Sequence, residues 1–143
     1  MNSKVIVLDA NIIIRAVLGN KVRALITDNI EKVDFFTPDV CIADAQKYLP
    51  LLFEKRSMPT EPALILLNNL RPLLHLVDEL IYEREKEEAQ LRIKNRDIRD
   101  WPIVATALTL NCPIWTEDQD FFGTGVATWT TDRVHLFFEE HTR

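Results

Sequence analysis

The chain has 143 residues, a net charge of −5, 47% hydrophobic residues and 27% charged ones. One domain over 1–143 is expected, because a chain this long buries about 68–70% of its unfolded surface and needs no disulfide or structural metal to hold a core. The acidic balance argues against broad attraction to nucleic acid or anionic membranes, and three glycines, with neither GxGxxG nor GxxxxGK[ST], exclude the glycine-rich phosphate loops.

Cys41 and Cys112 are isolated from each other and from any histidine in the chain, so they read as small core residues of a reducing compartment. The N-terminal "MNSKVIVLDANIII" is interrupted by Asp9 and Asn11. It has neither the layout of a signal peptide nor the ~20 apolar residues of a membrane span. A cytoplasmic protein with no membrane partner is expected.

"KVIVL" (4–8) is short, β-branched and apolar, which suits a buried parallel strand. After Asp9 the spacing of Ile12, Ile13, Ala16 and Val17 predicts a helix with one buried face. A second helix is predicted over about 21–31, with Val22, Leu25, Ile26 and Ile30 in phase. "VDFFT" reads as the second strand, and Pro38 opens a helix carrying Val40, Ile42, Tyr48, Leu49, Leu52 and Phe53 on its apolar side. Another helix follows Pro59 and ends near Arg71. "LLHLV" (73–77) is the third strand, and Asp78 caps a long helix over about 79–94. "WPIVATALTL" (101–110) is helical, "PIW" is the fourth strand and "VATW" a last edge strand. Thr131-Asp132 then starts a terminal helix through Phe138. Strands alternating with helices imply an α/β fold with a mainly parallel sheet of four to five strands.

The acids fall in unusual places. "PIWTEDQDFF" sets Glu117, Asp118 and Asp120 just past the fourth strand. At 4 Å and an effective dielectric near 20, each like pair costs roughly 4 kcal/mol. Either they face water or a positive charge sits among them. Asp9 follows the first strand in the same way, and ligand sites of open α/β sheets form outside the carboxyl ends of strands. Asp9 alone would serve equally as a helix cap. Asp97 and Asp100 are three apart, on one face if the helix is continuous, and both would favour the start of helix 101–110, with Asp100 as its cap. Asp44, between Ala43 and Ala45, reads alone as an exposed helix acid. Taken together the acids come from four separate segments, none of which offers Cys or His. An oxygen-only carboxylate site selects Mg²⁺ or Mn²⁺ over zinc. That set describes metal-assisted phosphodiester hydrolysis, with one or two ions stabilising the attacking and leaving oxygens.

"VIVLDANIIIRAVL", "DWPIVATAL" and "PIWTEDQDF", in this order and spacing, resemble the PIN-domain nucleases over essentially the whole chain. The most specific part is D-x-x-[IV]-x-A-x-A-L followed by strand-T-x-D-x-D-F. The resemblance implies a three-layer α/β/α fold with strand order 3-2-1-4-5 and Mg²⁺- or Mn²⁺-dependent ribonuclease activity. Many members are toxins of VapBC-type toxin–antitoxin pairs. It therefore implies an RNA substrate, and a toxin role predicts a small antitoxin that occludes the site; a homodimer is compatible with the sequence. Residue by residue, Asp9 matches the first acid of the motif, Asp100 the third and Asp118 the fourth, and these three are the expected metal ligands. Asn11 matches the polar residue after the first acid, Thr116 the hydroxyl residue before the fourth, Asp120 an auxiliary acid, and Asp97 the extra Asp of a D-x-x-D variant. Where the family has Glu as the second acid, this chain offers Asp44, whose carboxylate reaches about 1–1.5 Å less far. Glu54 lies ten residues along, about 15 Å up the helix, so Asp44 is the expected catalytic residue.

Other residues read less specifically. Arg92, Lys94, Arg96 and Arg99 either hold substrate phosphates or make a solvated helix end. Trp101 and Trp115 either stack bases or pack in the core. His75, His135 and His141 read as core or surface histidines, and Glu117 as solvent-facing. Two alternatives to the ribonuclease compete with it. One is a catalytically weakened PIN-like domain that binds RNA or protein, motivated by Asp44. The other is a haloacid-dehalogenase-type phosphotransferase, which needs Asp two residues after Asp9, where this chain has Asn11.

Overall fold

The computed structural model describes residues 4–139; His141 and the outer ends of the expected 1–143 domain lie outside them. Five strands form one parallel sheet: β1 (Lys4–Leu8), β2 (Val33–Pro38), β3 (His75–Val77), β4 (Ile114–Trp115) and β5 (Thr128–Trp129). Their order is β3-β2-β1-β4-β5, with helices on both sides, as expected. The chain runs from β1 to β2 and β3 on one side and crosses back to β4 on the other. Strand order therefore reverses between β1 and β4, where Val7 pairs with Ile114 and Leu8 with Trp115.

Helices α1 (Ala10–Leu18), α2 (Asn20–Thr27), α3 (Asp39–Lys55) and α4 (Glu61–Leu70) pack on one another. Helices α5 (Glu79–Tyr82) and α6 (Lys86–Ile93) pack on α7 (Trp101–Leu110), which lies against β1 and β2; α8 (Val134–Glu139) closes the described chain. The β1 residues Ile6, Val7 and Leu8 are fully buried, as expected of a central strand whose two faces are both covered. Phe35, Trp115 and Phe138 form an aromatic cluster, with Phe35 and Phe138 edge to face at 5.7 Å. Trp115 is thus a core residue rather than a base-stacking one.

Two predicted helices end differently. The second stops at Thr27 because the Asn29 side chain donates to the Leu25 carbonyl at 2.7 Å and competes with the next turn; Ile30 falls in the turn beyond. The long helix over 79–94 breaks into α5, a 3₁₀ turn at 83–85 and α6. Near the break the Arg84 side chain donates to the Ile81 carbonyl, and Tyr82 is anchored inward, its ring against Trp101 and its hydroxyl on Asp39. Strand three is shortened to His75–Val77 because Pro72 sits in a 3₁₀ turn over Arg71–Leu73. Asp78 caps α5 as expected, accepting from the Leu80 N–H at 2.8 Å.

Phe35→Ala removes a ring that touches both other members of the aromatic cluster. It is expected to cost about 3–5 kcal/mol, read as a lower urea midpoint with an unchanged slope.

Candidate active site at the ends of β1 and β4

Asp9 leaves the end of β1 and is 3% exposed. Its Oδ1 accepts from the Ile12 N–H at 2.9 Å, so it caps α1; its Oδ2 accepts from the Thr116 hydroxyl. The cap and the site are therefore the same carboxylate. Thr116, directly after β4, is fully buried and relays across the strand gap. It donates to Asp9, and its oxygen accepts from the Asp118 N–H at 2.9 Å. Asp118 in turn accepts from the Asp120 N–H at 2.9 Å. The bonds to Asp9 and Asp118 fix the directions of these two carboxylates before any ligand arrives.

The carboxylates of Asp100, Asp118 and Asp120 offer oxygens within 4.8 Å of one another. Asp120, expected as an auxiliary acid, stands inside this group. Asp9, Asn11, Asp44, Asp100 and Asp118 line one cleft of about 170 Å³, with Cys41, Ile103 and Phe121 among its apolar walls. Burial pushes the Asp9 pKa up to about 6 against the Thr116 and Ile12 hydrogen bonds that lower it, and Asp118 and Glu117 raise it further. Burial likewise pushes Asp100 up to about 7, reinforced by Asp97, Asp118, Asp9 and Asp120. Acidic groups that raise one another's pKa in a cleft are the electrostatic state a divalent cation relieves. The oxygen-only donor set fits Mg²⁺ or Mn²⁺.

Several expectations need correction. Asp97 and Asp100 do not share a face of one helix. Asp97 has extended backbone and caps the 3₁₀ turn Ile98–Asp100, accepting from the Arg99 N–H at 3.0 Å; Asp100 makes no side-chain cap. The Arg99 guanidinium holds Asp97 through Nε and Nη2, both at 3.0 Å, and keeps that carboxylate below its ordinary pKa. Asp97 is thus neutralised locally. Glu117 does not simply face solvent, since its Oε2 accepts from the Thr131 N–H at 2.6 Å and ties the segment after β4 to that after β5. The Trp115 indole donates to the Thr131 hydroxyl at 3.1 Å in the same tie.

Asp44 is exposed and lines the cleft from α3, apart from the converging trio. Glu54 is exposed and outside the cleft lining. Of the four basic residues at 92–99 only Arg99 lines the cleft. Arg92 instead holds Glu88 and the Thr124 carbonyl. Tyr48, grouped by periodicity with the apolar face of α3, is 46% exposed and lines the cleft one turn beyond Asp44; its spacing of four from Asp44 was the available signal. His75 lies on β3 beside Asp34 and Phe36, and His135 on α8; neither lines the cleft.

Because the folded Asp100 pKa is raised, folding favours its protonated form. That stability is complete below about pH 4 and is lost as pH rises toward 7. In EDTA, Asp100→Asn is expected to raise Tm at pH 8, where a gain of about 1 kcal/mol is worth roughly 3 °C. The advantage over wild type should shrink on acidification toward pH 4, as thermal melts across pH would reveal.

No curated protein matches the chain by sequence. Among solved structures, the fold is similar to that of VapBC2 from Rickettsia felis, crystallised with a DNA fragment from its promoter. The TM-score there is 0.66 at 12% identity, covering 88% of this chain and 98% of that one. It is also similar to PAE2754 from Pyrobaculum aerophilum, with TM-score 0.67, 15% identity and coverage of 94% and 89%. FitAcB from Neisseria gonorrhoeae gives TM-score 0.59, 23% identity and coverage of 88% and 97%. At these identities the likeness speaks for the fold. The PIN domain model matches residues 7–139, from within β1 to the end of α8 and through every acid described above, and the chain belongs to the PIN-domain family.

Proposed function

We propose that the protein is a metal-dependent ribonuclease that hydrolyses RNA phosphodiester bonds, acting in the cytoplasm as the toxin of a toxin–antitoxin pair. The observation that carries this reading is the convergence of Asp100, Asp118 and Asp120 beside the buried Asp9 at the strand-order reversal. Family membership supports nuclease chemistry. VapBC2 and FitAcB, whose folds are similar, support a small antitoxin partner. No helix among the described residues is long and apolar enough to cross a membrane.

Asp9, Asp100 and Asp118 would hold Mg²⁺ or Mn²⁺, with Asp120 beside them. When bound, the cation supplies Lewis-acid stabilisation of the charge that develops on the phosphate oxygens. The protein's own contribution is orientation. Thr116 and the Ile12 N–H lock the Asp9 carboxylate, and the Asp120 N–H directs Asp118, so these acids lose little freedom when the substrate arrives. Asp44, exposed across the cleft, is free to orient the attacking water and accept its proton. Its position apart from the trio also favours a second reading, a catalytically weakened domain that binds RNA or protein. Metal-dependent turnover by the purified protein would eliminate that reading.

Cleavage of RNA is expected to require Mg²⁺ or Mn²⁺ and to fall at least about 100-fold in Asp9→Asn and Asp118→Asn. If those variants cleave as well as wild type, the assignment is wrong. Asp44→Glu restores the missing methylene and should raise the rate; an unchanged or lower rate would exclude a simple deficit of reach. Ligating carboxylates must be ionised, and those of Asp9 and Asp100 are raised to about 6 and about 7. Activity at fixed metal should therefore decline below pH 7, by about tenfold per pH unit for each carboxylate that has taken up a proton. Excess metal should move that acid limb to lower pH.

A further inference from the structure

The cleft has a wall the acids do not explain. Arg99 is the one cation among its described lining residues, and Tyr48 is a 46% exposed ring on the same lining, with the Lys47 ammonium 5.6 Å from its centroid. Asp97 accepts from Nε and Nη2 of Arg99, which leaves both Nη1 hydrogens and one on Nη2 uncommitted. The guanidinium is thereby oriented by Asp97 with a free donor edge, although its side chain is 87% exposed. An exposed arginine held in this way loses less freedom on capturing an anion than a mobile one would. Of the other aromatic residues near the acids, Trp115 and Phe121 are buried, Trp101 packs edge to face on Tyr82 outside the cleft lining, and Phe122, though exposed, also lies outside that lining.

We propose that Arg99 and Tyr48 form a nucleotide subsite, Arg99 taking a phosphate next to the scissile bond and Tyr48 stacking the adjoining unpaired base. Asp97 is a positioning residue that acts through Arg99. The subsite rests on the ribonuclease reading and specifies how an acidic protein holds its polyanionic substrate. Phosphate contact by one fixed cation positions the strand without reading sequence. A single ring accepts any base but only an unstacked one, so the subsite selects single-stranded RNA.

The test compares Arg99→Gln, Arg99→Lys, Tyr48→Ala, Tyr48→Phe and Asp97→Asn on a fluorogenic single-stranded RNA dodecamer in Mg²⁺ or Mn²⁺. These side chains are surface-exposed or partly so, and melting curves would verify folding. Arg99→Gln and Tyr48→Ala are expected to raise KM about tenfold with kcat within about twofold. Tyr48→Phe should restore the wild-type KM, Arg99→Lys should recover part of it, and Asp97→Asn should fall between Arg99→Gln and wild type. A second readout needs no metal: fluorescence anisotropy of a labelled oligouridine dodecamer in EDTA at low salt. There Arg99→Gln should weaken binding and reduce the slope of log affinity against log salt by about 0.7, the loss of one phosphate contact. Lys94→Gln, outside the cleft lining, should leave the slope unchanged. Unchanged KM in both primary variants, or no wild-type binding in EDTA, overturns the subsite. If the wild-type protein binds RNA as described but cleaves none with either metal, the ribonuclease reading fails and the subsite stands.

Discussion

Repulsion among carboxylates where β1 and β4 end side by side is the constraint on which the rest of this structure turns. Asp9, Asp100, Asp118 and Asp120 are gathered there by the fold, and among the described residues no lysine or arginine stands between them; Arg99, at the edge, is already engaged with Asp97. The chain answers with directed hydrogen bonds instead of counter-charges. The Thr116 hydroxyl and the Ile12 N–H hold Asp9, the Asp120 N–H holds Asp118, and Asp100 moves toward its neutral form near pH 7. Each device lets the acids coexist without neutralising them permanently, so their oxygens stay available to a cation.

The hydrophobic core is what enforces that constraint. The central strand β1 is buried on both faces, and its pairing with β4 puts Leu8 beside Trp115. Trp115 is held by the Phe35–Phe138 cluster and by its indole hydrogen bond to Thr131. The residues that follow each strand, Asp9 and Thr116, have little freedom to separate. A repulsive arrangement persists because the packing energy beneath it exceeds the local electrostatic cost, and separating the acids would mean unpairing buried strands.

The same economy appears at the rim. Asp97 resembles the extra acid of a D-x-x-D variant, and Arg99, two residues away, holds its carboxylate. Glu117, lying among the acids in sequence, turns aside to bind the backbone at Thr131. Of the acids in "TEDQD", one therefore serves the architecture while Asp118 and Asp120 converge on Asp100.

Much was legible without coordinates. The apolar run of β1, the periodicity of α1 and α7, and the alternation of strands and helices determined an α/β parallel sheet, because burial patterns are local consequences of backbone period. Acids directly after two such strands marked the site, because strand ends are where a parallel sheet exposes its backbone to a ligand. The family motif supplied the strand order. What periodicity could not resolve was direction and company. Tyr48 shares its helical phase with core residues but emerges beside Asp44 at the cleft. The breaks after Thr27 and Tyr82 arise near side chains that seek backbone carbonyls. Asp97 and Glu117 find partners through turn geometry and through the meeting of segments 14 residues apart. The sequence alone determined which residue types were available and on which elements; the tertiary structure decided which carboxylates face one another, because that depends on hydrogen-bond partners brought together across the sheet.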